Sequence, residues 1–148
     1  MNIFYGIDPG LTGAICAMRE DLLVIDIMDM PCLDKELDAG AFMDFILSWP
    51  TVHVFMEKAQ AMPKNGVVAM FNYGRLFGEI VGVLKAKEIP YTLVTPQRWK
   101  KIELKDMPAG KESSVIRVNQ LYPELRLRKT QHGRSDAVLI ARYGIKSP

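Results

Sequence analysis

Two short apolar segments that each end in a carboxylic acid constrain this chain more than any other feature. Residues 3–7 lead directly into Asp8, and residues 52–56 lead directly into Glu57. Both segments are short, apolar and bounded by turn or polar residues, which predicts two buried strands. A carboxylate at such a strand end is costly to desolvate unless a cation or hydrogen-bond donors satisfy it. A capping or ion-paired role would explain one such acid, but two predict neighbouring central strands that present a metal site at one edge of the sheet.

The order of the other predicted elements indicates an α/β fold. Turn residues separate three opening strands, and segments with helical spacing of apolar residues then alternate with further strands. The order β-β-β-α-β-α-β followed by helices predicts one domain over residues 1–148, with a mixed five-stranded sheet, its first three strands antiparallel, and helices on both faces. The predicted strands are 3–7, 11–18, 22–28, 52–56 and 91–94, and the predicted helices are 34–49, 66–88, 96–102, 111–122 and 134–143.

Charge is divided unevenly along the chain, although the net charge is only +2. Residues 1–84 contain 5 Lys/Arg and 11 Asp/Glu, whereas residues 85–148 contain 14 Lys/Arg and 6 Asp/Glu. A basic half that holds phosphates, beside a half that supplies acidic site residues, is typical of a metal-dependent enzyme acting on a polyanion. An ordinary solvated surface is the alternative that charge alone leaves open.

The sequence predicts neither a membrane span nor a secretory signal. It contains no run of 18 or more consecutive apolar residues, and its first residues do not form a basic stretch followed by a long apolar segment. We therefore expect a cytoplasmic protein that does not bind a membrane.

Three glycines share one face of the predicted helix 66–88, because Gly74, Gly78 and Gly82 lie four residues apart. Each interior glycine costs about 1 kcal/mol relative to alanine, so three of them indicate a packing reason. Missing side chains let another backbone approach closely. We expect that backbone to be the protein's own sheet or, as the second alternative, a helix of a partner subunit.

A third acid, Asp136, lies early in the last predicted helix and precedes the apolar residues 138–141. His132 is four residues earlier, so on a continuous helix both side chains lie on one face. His132 could then reach the same metal or an attacking water. Two alternatives stay open, since an acid is favourable at any helix N-terminus and a lone histidine is commonly structural or solvated.

The acidic motifs together resemble those of RuvC-type Holliday-junction resolvases. Gly6-Ile7-Asp8-Pro9-Gly10-Leu11-Thr12-Gly13 is similar to the first strand and turn of that family, and Phe55-Met56-Glu57 is similar to its second acidic strand. His132-Gly133-Arg134-Ser135-Asp136-Ala137 resembles its C-terminal acidic helix. Val94-Thr95-Pro96 followed by Trp99-Lys100 also resembles phage and bacterial members. The motifs occur in the family's order and span most of the chain.

The resemblance implies an RNase H-like fold and a structure-specific endonuclease that resolves four-way (Holliday) junctions and other branched DNA. It implies a homodimer that makes paired nicks with two Mg²⁺ ions, for which Mn²⁺ substitutes. By the same resemblance, Asp8 bridges both ions, and Glu57 and Asp136 are further ligands. The family's fourth catalytic position, commonly an acid shortly before the last aspartate, would fall on His132, as a ligand or a positioner of the nucleophile. Residues 58–65 lack the aromatic residue that some members place after the glutamate to pry at the junction.

We expect the basic half of the chain to provide most of the DNA-binding residues. Cationic side chains hold phosphates without reading sequence, so branched DNA would be selected by shape. Trp99 could stack on a base or pack in the core. The predicted DNA-binding residues are Lys58, Lys64, Arg98, Lys100, Lys101, Lys105, Lys111 and Arg134.

Three other functions compete with a junction resolvase. The run Asp8-Pro9-Gly10-Leu11-Thr12 also resembles the first phosphate loop of sugar kinases and actin-like ATPases, but those proteins need two large lobes and would leave Glu57 and Asp136 unexplained. A non-catalytic junction-binding protein could keep the fold, although three clustered carboxylates without a metal would repel a phosphate backbone. A nuclease of the same fold that acts on flaps or RNA–DNA hybrids would use the same cutting chemistry and stays open.

Overall fold

A mixed sheet of five strands forms the centre of the protein. The computed structural model describes residues 1–147, although not the side chain of Val52; Pro148, part of the predicted domain, lies outside the described residues. The strands are β1 (Ile3–Asp8), β2 (Ala14–Arg19), β3 (Val24–Asp29), β4 (Cys32–Leu33), β5 (Glu36–Leu37), β6 (Thr51–Glu57) and β7 (Tyr91–Val94). The main sheet has the order β3-β2-β1-β6-β7, and β4 and β5 form a separate small hairpin. Pairing is antiparallel from β3 to β1 and parallel from β1 to β7, which confirms the predicted mixed sheet.

Helices cover both faces of this sheet, as predicted. They are α1 (Ala39–Ile46), α2 (Val67–Ala86), α3 (Pro96–Glu103), α4 (Glu112–Leu121) and α5 (His132–Lys146). One core contains buried residues of α1 and α2 packed with Ile3, Tyr5 and Ile7 of β1. The other core contains buried residues of α3, α4 and α5 packed with Ala14 and Cys16 of β2. Alternation along each strand therefore sends successive side chains into two different cores.

Helix α5 lies unusually close to the sheet, and two glycines permit this. A Cβ atom on Gly6 of β1 would overlap the carbonyl oxygen of Ala137, and a Cβ atom on Gly133 would overlap the carbonyl oxygen of Thr12. Any larger residue would therefore push α5 away from the sheet. These contacts fix the first turns of α5, which carry Asp136, against the end of β1.

Several boundaries differ from the predicted ones for local reasons. Strand β2 begins at Ala14 rather than at residue 11, because the amide of Gly13 donates to the carbonyl of Gly10 and closes a turn. Helix α1 begins at Ala39 rather than at residue 34, because the β4–β5 hairpin precedes it and the Asp38 side chain caps it. Helix α5 begins two residues earlier than predicted, so His132 and Asp136 lie on one continuous helix.

The prediction that the glycine face of α2 packs on the protein's own sheet is wrong. Leu76, Ile80 and Leu84 form the buried face of α2. A Cβ atom at Gly74, Gly78 or Gly82 would meet nothing within 4 Å, so the glycine face is open. By length and composition alone, α2 is also apolar enough to cross a membrane. Its buried leucines and isoleucine nevertheless belong to the core of this domain.

Candidate active site

Asp8 and Glu57 end two neighbouring parallel strands at the same level. Ile7 of β1 pairs with Met56 of β6, and each acid is the next residue along its strand. Neighbouring strands lie about 4.8 Å apart. Ile7 and Met56 point into the core beneath α1 and α2. Because side chains alternate, Asp8 and Glu57 point to the opposite face, where α5 lies.

Asp136 of α5 joins these two acids in one electrostatically coupled group. Burial, together with the negative charges of Asp136 and Glu57, raises the pKa of Asp8 to about 7. Burial, together with the charge of Glu57, raises the pKa of Asp136 to about 6, although the neighbouring Ser114 hydroxyl partly lowers it. Burial also raises the pKa of Glu57. Three separate elements thus bring three partly desolvated carboxylates close enough to affect one another's ionisation.

The carboxylates are coupled but do not form a closed ligand cage. Within residues 1–147, no group of three His, Cys, Asp or Glu side chains is tight enough to enclose a metal ion. The salt bridges among these residues involve none of the three acids. Three partly buried carboxylates without salt bridges to the described residues fit a divalent cation by donor chemistry, since Mg²⁺ prefers oxygen ligands and positive charge would relieve their repulsion. An ion would have to draw the side chains closer together.

Lys100 of α3 is the cation that faces the whole acidic group. Its positive charge lowers the pKa of each of the three carboxyl groups, which opposes the effect of burial. It forms no salt bridge within the described part of the chain, and its Nζ lies 5.6 Å from the centroid of the Trp99 ring. The ammonium group of Lys100 is therefore available beside the acids, whereas the sequence predicts only that Lys100 contacts DNA.

Trp99 packs in the core and cannot stack on a base, because its side chain is fully buried. Its indole Nε1 donates a hydrogen bond of 2.6 Å to Oε2 of Glu57. An ion cluster fixes α3, since the buried Glu103 lies 3.3 Å from Nε of Arg142 and 2.6 Å from Nζ of Lys146, both on α5. The sequence leaves the packing role of Trp99 open and does not predict its bond to Glu57.

His132 and Asp136 line one small cavity of about 190 Å³, together with Lys100, Lys111 and Ser114. The Ser114 hydroxyl lies 2.7 Å from the Ser135 hydroxyl, and Ser135 donates in turn to the carbonyl of His132. The structure thus brings His132 to the acidic site. Ser114 was missed, because no sequence pattern distinguishes it from other helical serines.

Tyr73 of α2 is a further residue near the acids that the sequence does not predict. Burial, together with the charges of Glu57 and Asp8, raises the pKa of its phenol to about 12. Tyr73, Glu57, Lys58 and Lys100 line a cavity of about 490 Å³ beside the acids. The phenol is therefore a neutral donor facing the carboxylate group at any physiological pH.

The predicted DNA-binding residues do not all lie at this site. Arg134 makes two hydrogen bonds, of 2.7 and 3.2 Å, to Asp29, so its guanidinium is already engaged within the protein. Arg98 lines a different cavity, at the edge of the sheet. Lys58, Lys100 and Lys111 line the two cavities beside Glu57 and Asp136. Three further cations are exposed outside these cavities: Lys64, Lys101 and Lys105.

Solved structures of other proteins share the fold of this chain. No protein-family model matches the sequence, and no curated protein matches it significantly. A Thermus thermophilus RuvC structure is similar with a TM-score of 0.70 and 16% sequence identity, covering 95% of this chain and 92% of that chain. T. thermophilus RuvC in complex with Holliday junction substrate is similar with a TM-score of 0.68 and 14% identity, covering 97% of this chain and 92% of that one. The chain has a RuvC-like fold.

The RuvC-like fold confirms the predicted RNase H-like architecture across nearly the whole chain. Within this RuvC-like fold, the acids lie at the ends of the two central parallel strands β1 and β6 and near the start of α5. At 14–16% sequence identity, the similarity shows a shared fold. The chemistry of the site depends on the residues at those positions.

Proposed function

We propose that this chain is a metal-dependent endonuclease that resolves four-way (Holliday) junctions and other branched DNA by paired nicking. One observation carries the proposal: Asp8, Glu57 and Asp136, all partly buried and without salt-bridge partners among residues 1–147, affect one another's ionisation at one end of a RuvC-like sheet. Carboxylates in this state need a cation, and a divalent ion beside basic side chains suits phosphodiester cleavage. The substrate class is supported by the similar T. thermophilus protein, whose structure contains Holliday junction substrate.

Asp8, Glu57 and Asp136 are the residues that would hold Mg²⁺, or Mn²⁺ in its place. When bound there, such ions would supply activation of a water and stabilisation of the departing 3′ oxygen of the scissile phosphate. By resemblance to the family, Asp8 would help to hold both ions. The two carboxylate oxygens of Glu57 would have different roles, because Oε2 accepts the hydrogen bond from Trp99 and Oε1 is left to act as a metal ligand.

The chain's own residues prepare the site in three further ways. The amide of Gly10 donates a hydrogen bond of 3.3 Å to Oδ1 of Asp8, which fixes the rotamer of this carboxylate. Lys100 supplies a positive charge for the scissile phosphate. His132 lies beside Asp136, where its ring can orient a water or accept a proton.

DNA would be held by cations on both sides of the acids. Lys58 and Lys100 line one adjoining cavity, and Lys111 lines the other. These side chains contact phosphates in any sequence, so we infer that the protein selects branched DNA by its shape.

We also infer that the active form is a homodimer that associates through the open face of α2. Gly74, Gly78 and Gly82 leave space for a second backbone, and Phe71 beside them is 65% exposed. Small residues at four-residue spacing allow two helices to approach closely, and an isologous contact would pair two identical sites. Two sites in one assembly are what paired nicking requires.

A cleavage panel tests the proposal. Four-way junction, 5′ flap, RNA–DNA hybrid and linear duplex are each incubated with the protein in Mg²⁺ and in chelator. We expect Mg²⁺-dependent, symmetrical nicks in the junction and little cutting of the duplex. Preferential cutting of the flap or hybrid would support the other nuclease functions. Junction binding without cutting would support a non-catalytic binder.

A further inference from the structure

A third cavity, of about 620 Å³, lies apart from the acidic site and is not used by the proposed mechanism. It opens at the β7 edge of the sheet, between the beginning of α3 and the end of α5. None of the three acids lines it. Its walls combine aromatic, hydroxyl and cationic side chains, among them Phe4, His53, Phe55, Thr92, Arg98 and Tyr143.

The floor of this cavity is a group of three rings on neighbouring strands. Phe4 of β1 pairs directly with His53 of β6, and Phe55 follows two residues along the same face. The rings of Phe4 and Phe55 are nearly parallel, at 17°, with centroids 6.2 Å apart, and the His53 ring lies 4.9 Å from that of Phe55. All three side chains are partly buried and line the cavity, and the Phe55 ring also packs against Gly144 of α5. Aromatic residues exposed on a sheet face form a stacking surface for nucleic acid bases.

The polar groups around this floor are suited to a nucleotide. Arg98 is exposed and forms no salt bridge with any residue of the described range 1–147. An unpaired guanidinium binds phosphate oxygens in a fixed geometry. The Nε2 atom of His53 lies 2.7 Å from the Thr92 hydroxyl, which orients the imidazole and leaves Nδ1 free. The lining therefore offers stacking, hydrogen bonding and one anion contact together.

We propose that this cavity binds an unpaired deoxynucleotide, with its base on the Phe4–His53–Phe55 floor and its phosphate on Arg98. Phe55 and Glu57 are two residues apart on one face of β6, which corresponds to about 7 Å along a strand. A nucleotide in the cavity would thus lie next to the cleavage site. The inference rests on the proposed function for its ligand, a strand displaced from branched DNA, but free nucleotides share the same chemistry.

The first test measures free nucleotides by saturation-transfer NMR in the presence of chelator, with dAMP, dTMP and the phosphate-free thymidine as probes. We expect both nucleotides to bind more tightly than thymidine. Arg98→Gln should weaken nucleotide binding roughly tenfold, since a charged hydrogen bond is lost, and should leave thymidine binding unchanged. His53→Ala should weaken all three. Lys87→Gln, which removes one charge from an exposed position outside the cavity, is the matched control and should bind like wild type.

The second test places 2-aminopurine in the single-stranded arm of a fork and follows quenching of its fluorescence in chelator. Quenching in wild type and Asp8→Asn protein, but not in His53→Ala or Arg98→Gln, would identify a DNA strand as the ligand. Binding confined to mononucleotides would identify a free nucleotide. If neither probe binds, or if both variants bind normally while remaining folded, the cavity is not a nucleotide site. Cleavage is not used, so loss of junction cutting with retained nucleotide binding would overturn only the proposed function.

Discussion

The indole of Trp99 and the carboxylate of Glu57 form a hydrogen bond of 2.6 Å that joins α3 to the end of β6. Trp99 is fully buried, so the donor end of the bond is shielded from water, and low-dielectric surroundings strengthen the bond. It also opposes the rise in the pKa of Glu57 that burial causes. Trp99 is therefore a positioning residue that fixes one oxygen of Glu57, a proposed metal ligand.

Replacing Trp99 with Phe should remove this donor while keeping most of the packing volume. Because outer-shell bonds to metal ligands are typically worth about 10- to 100-fold in activity or metal affinity, we expect junction cleavage to slow by that factor and to need more Mg²⁺. Single-turnover cleavage across a Mg²⁺ titration measures both effects. Trp49→Phe is the matched control, because Trp49 packs in the opposite core. A normal Mg²⁺ dependence of cleavage by the Trp99 variant would show that Trp99 does not position Glu57.

The acidic site should make the stability of the chelated protein depend on pH. The pKa values of Asp8 and Asp136, about 7 and about 6, are both raised above the ordinary 3.8. A raised carboxyl pKa means that the folded state holds the proton more tightly. Tighter proton binding stabilises the folded state. This stabilisation is fully present below about pH 4 and is lost as the pH rises through the pKa values of the folded state. Each tenfold difference in proton affinity between the folded and unfolded states corresponds to about 1.4 kcal/mol.

Thermal unfolding in chelator measures this effect. We expect Tm to fall between about pH 5 and pH 8, by less in Asp8→Asn protein, where one of the titrating groups is absent. Added Mg²⁺ should raise Tm more at pH 8 than at pH 5, because it binds ionised carboxylates. A wild-type Tm with the same pH dependence as that of Asp8→Asn would contradict the coupling.

Much of the fold could be predicted because its signals are local. Short apolar runs gave the five strands of the sheet, and the order of elements gave a mixed sheet with two helical layers. The placement of Asp8 beside Glu57 followed from the expectation that both end central strands. Predicting these features requires only the pattern of neighbouring residues and general rules of topology.

What could not be predicted depends on contacts between distant residues. Trp99 and Glu57 are 42 residues apart, and Arg134 and Asp29 are 105 apart. Periodicity placed Gly74, Gly78 and Gly82 on one face of α2, but it did not say that this face points away from the sheet. Which side chains meet across the molecule is decided by tertiary packing, which composition and spacing do not encode.

His132→Ala tests whether the histidine beside Asp136 serves the reaction. If the imidazole handles a proton or orients the water, the cleavage rate at neutral pH should fall by roughly 100-fold or more. Junction binding should not change, and circular dichroism should show that α5 is intact. A rate equal to that of wild type would assign His132 a purely structural role.

Gly78→Leu tests the dimer. The added side chain has open space in the monomer, so the fold should persist, while a helix packed on the glycine face would be displaced. Light scattering should give twice the 16.7 kDa chain mass for wild type and the chain mass for the variant. Gly40→Leu, on the exposed side of α1, is the matched control and should remain dimeric. A monomeric wild type with junction DNA bound would contradict paired nicking by a dimer.

Single-turnover cleavage of a four-way junction by wild type, Asp8→Asn, Glu57→Gln and Asp136→Asn proteins is the most direct test of the metal-dependent site. Each substitution is nearly isosteric and removes one negative charge, so folding and junction binding in chelator should persist. We expect wild type to make paired nicks with Mg²⁺ and each variant to lose at least about 1,000-fold in rate. Wild-type rates in all three variants, or an intact junction after prolonged incubation of the wild type with Mg²⁺ or Mn²⁺, would contradict the account.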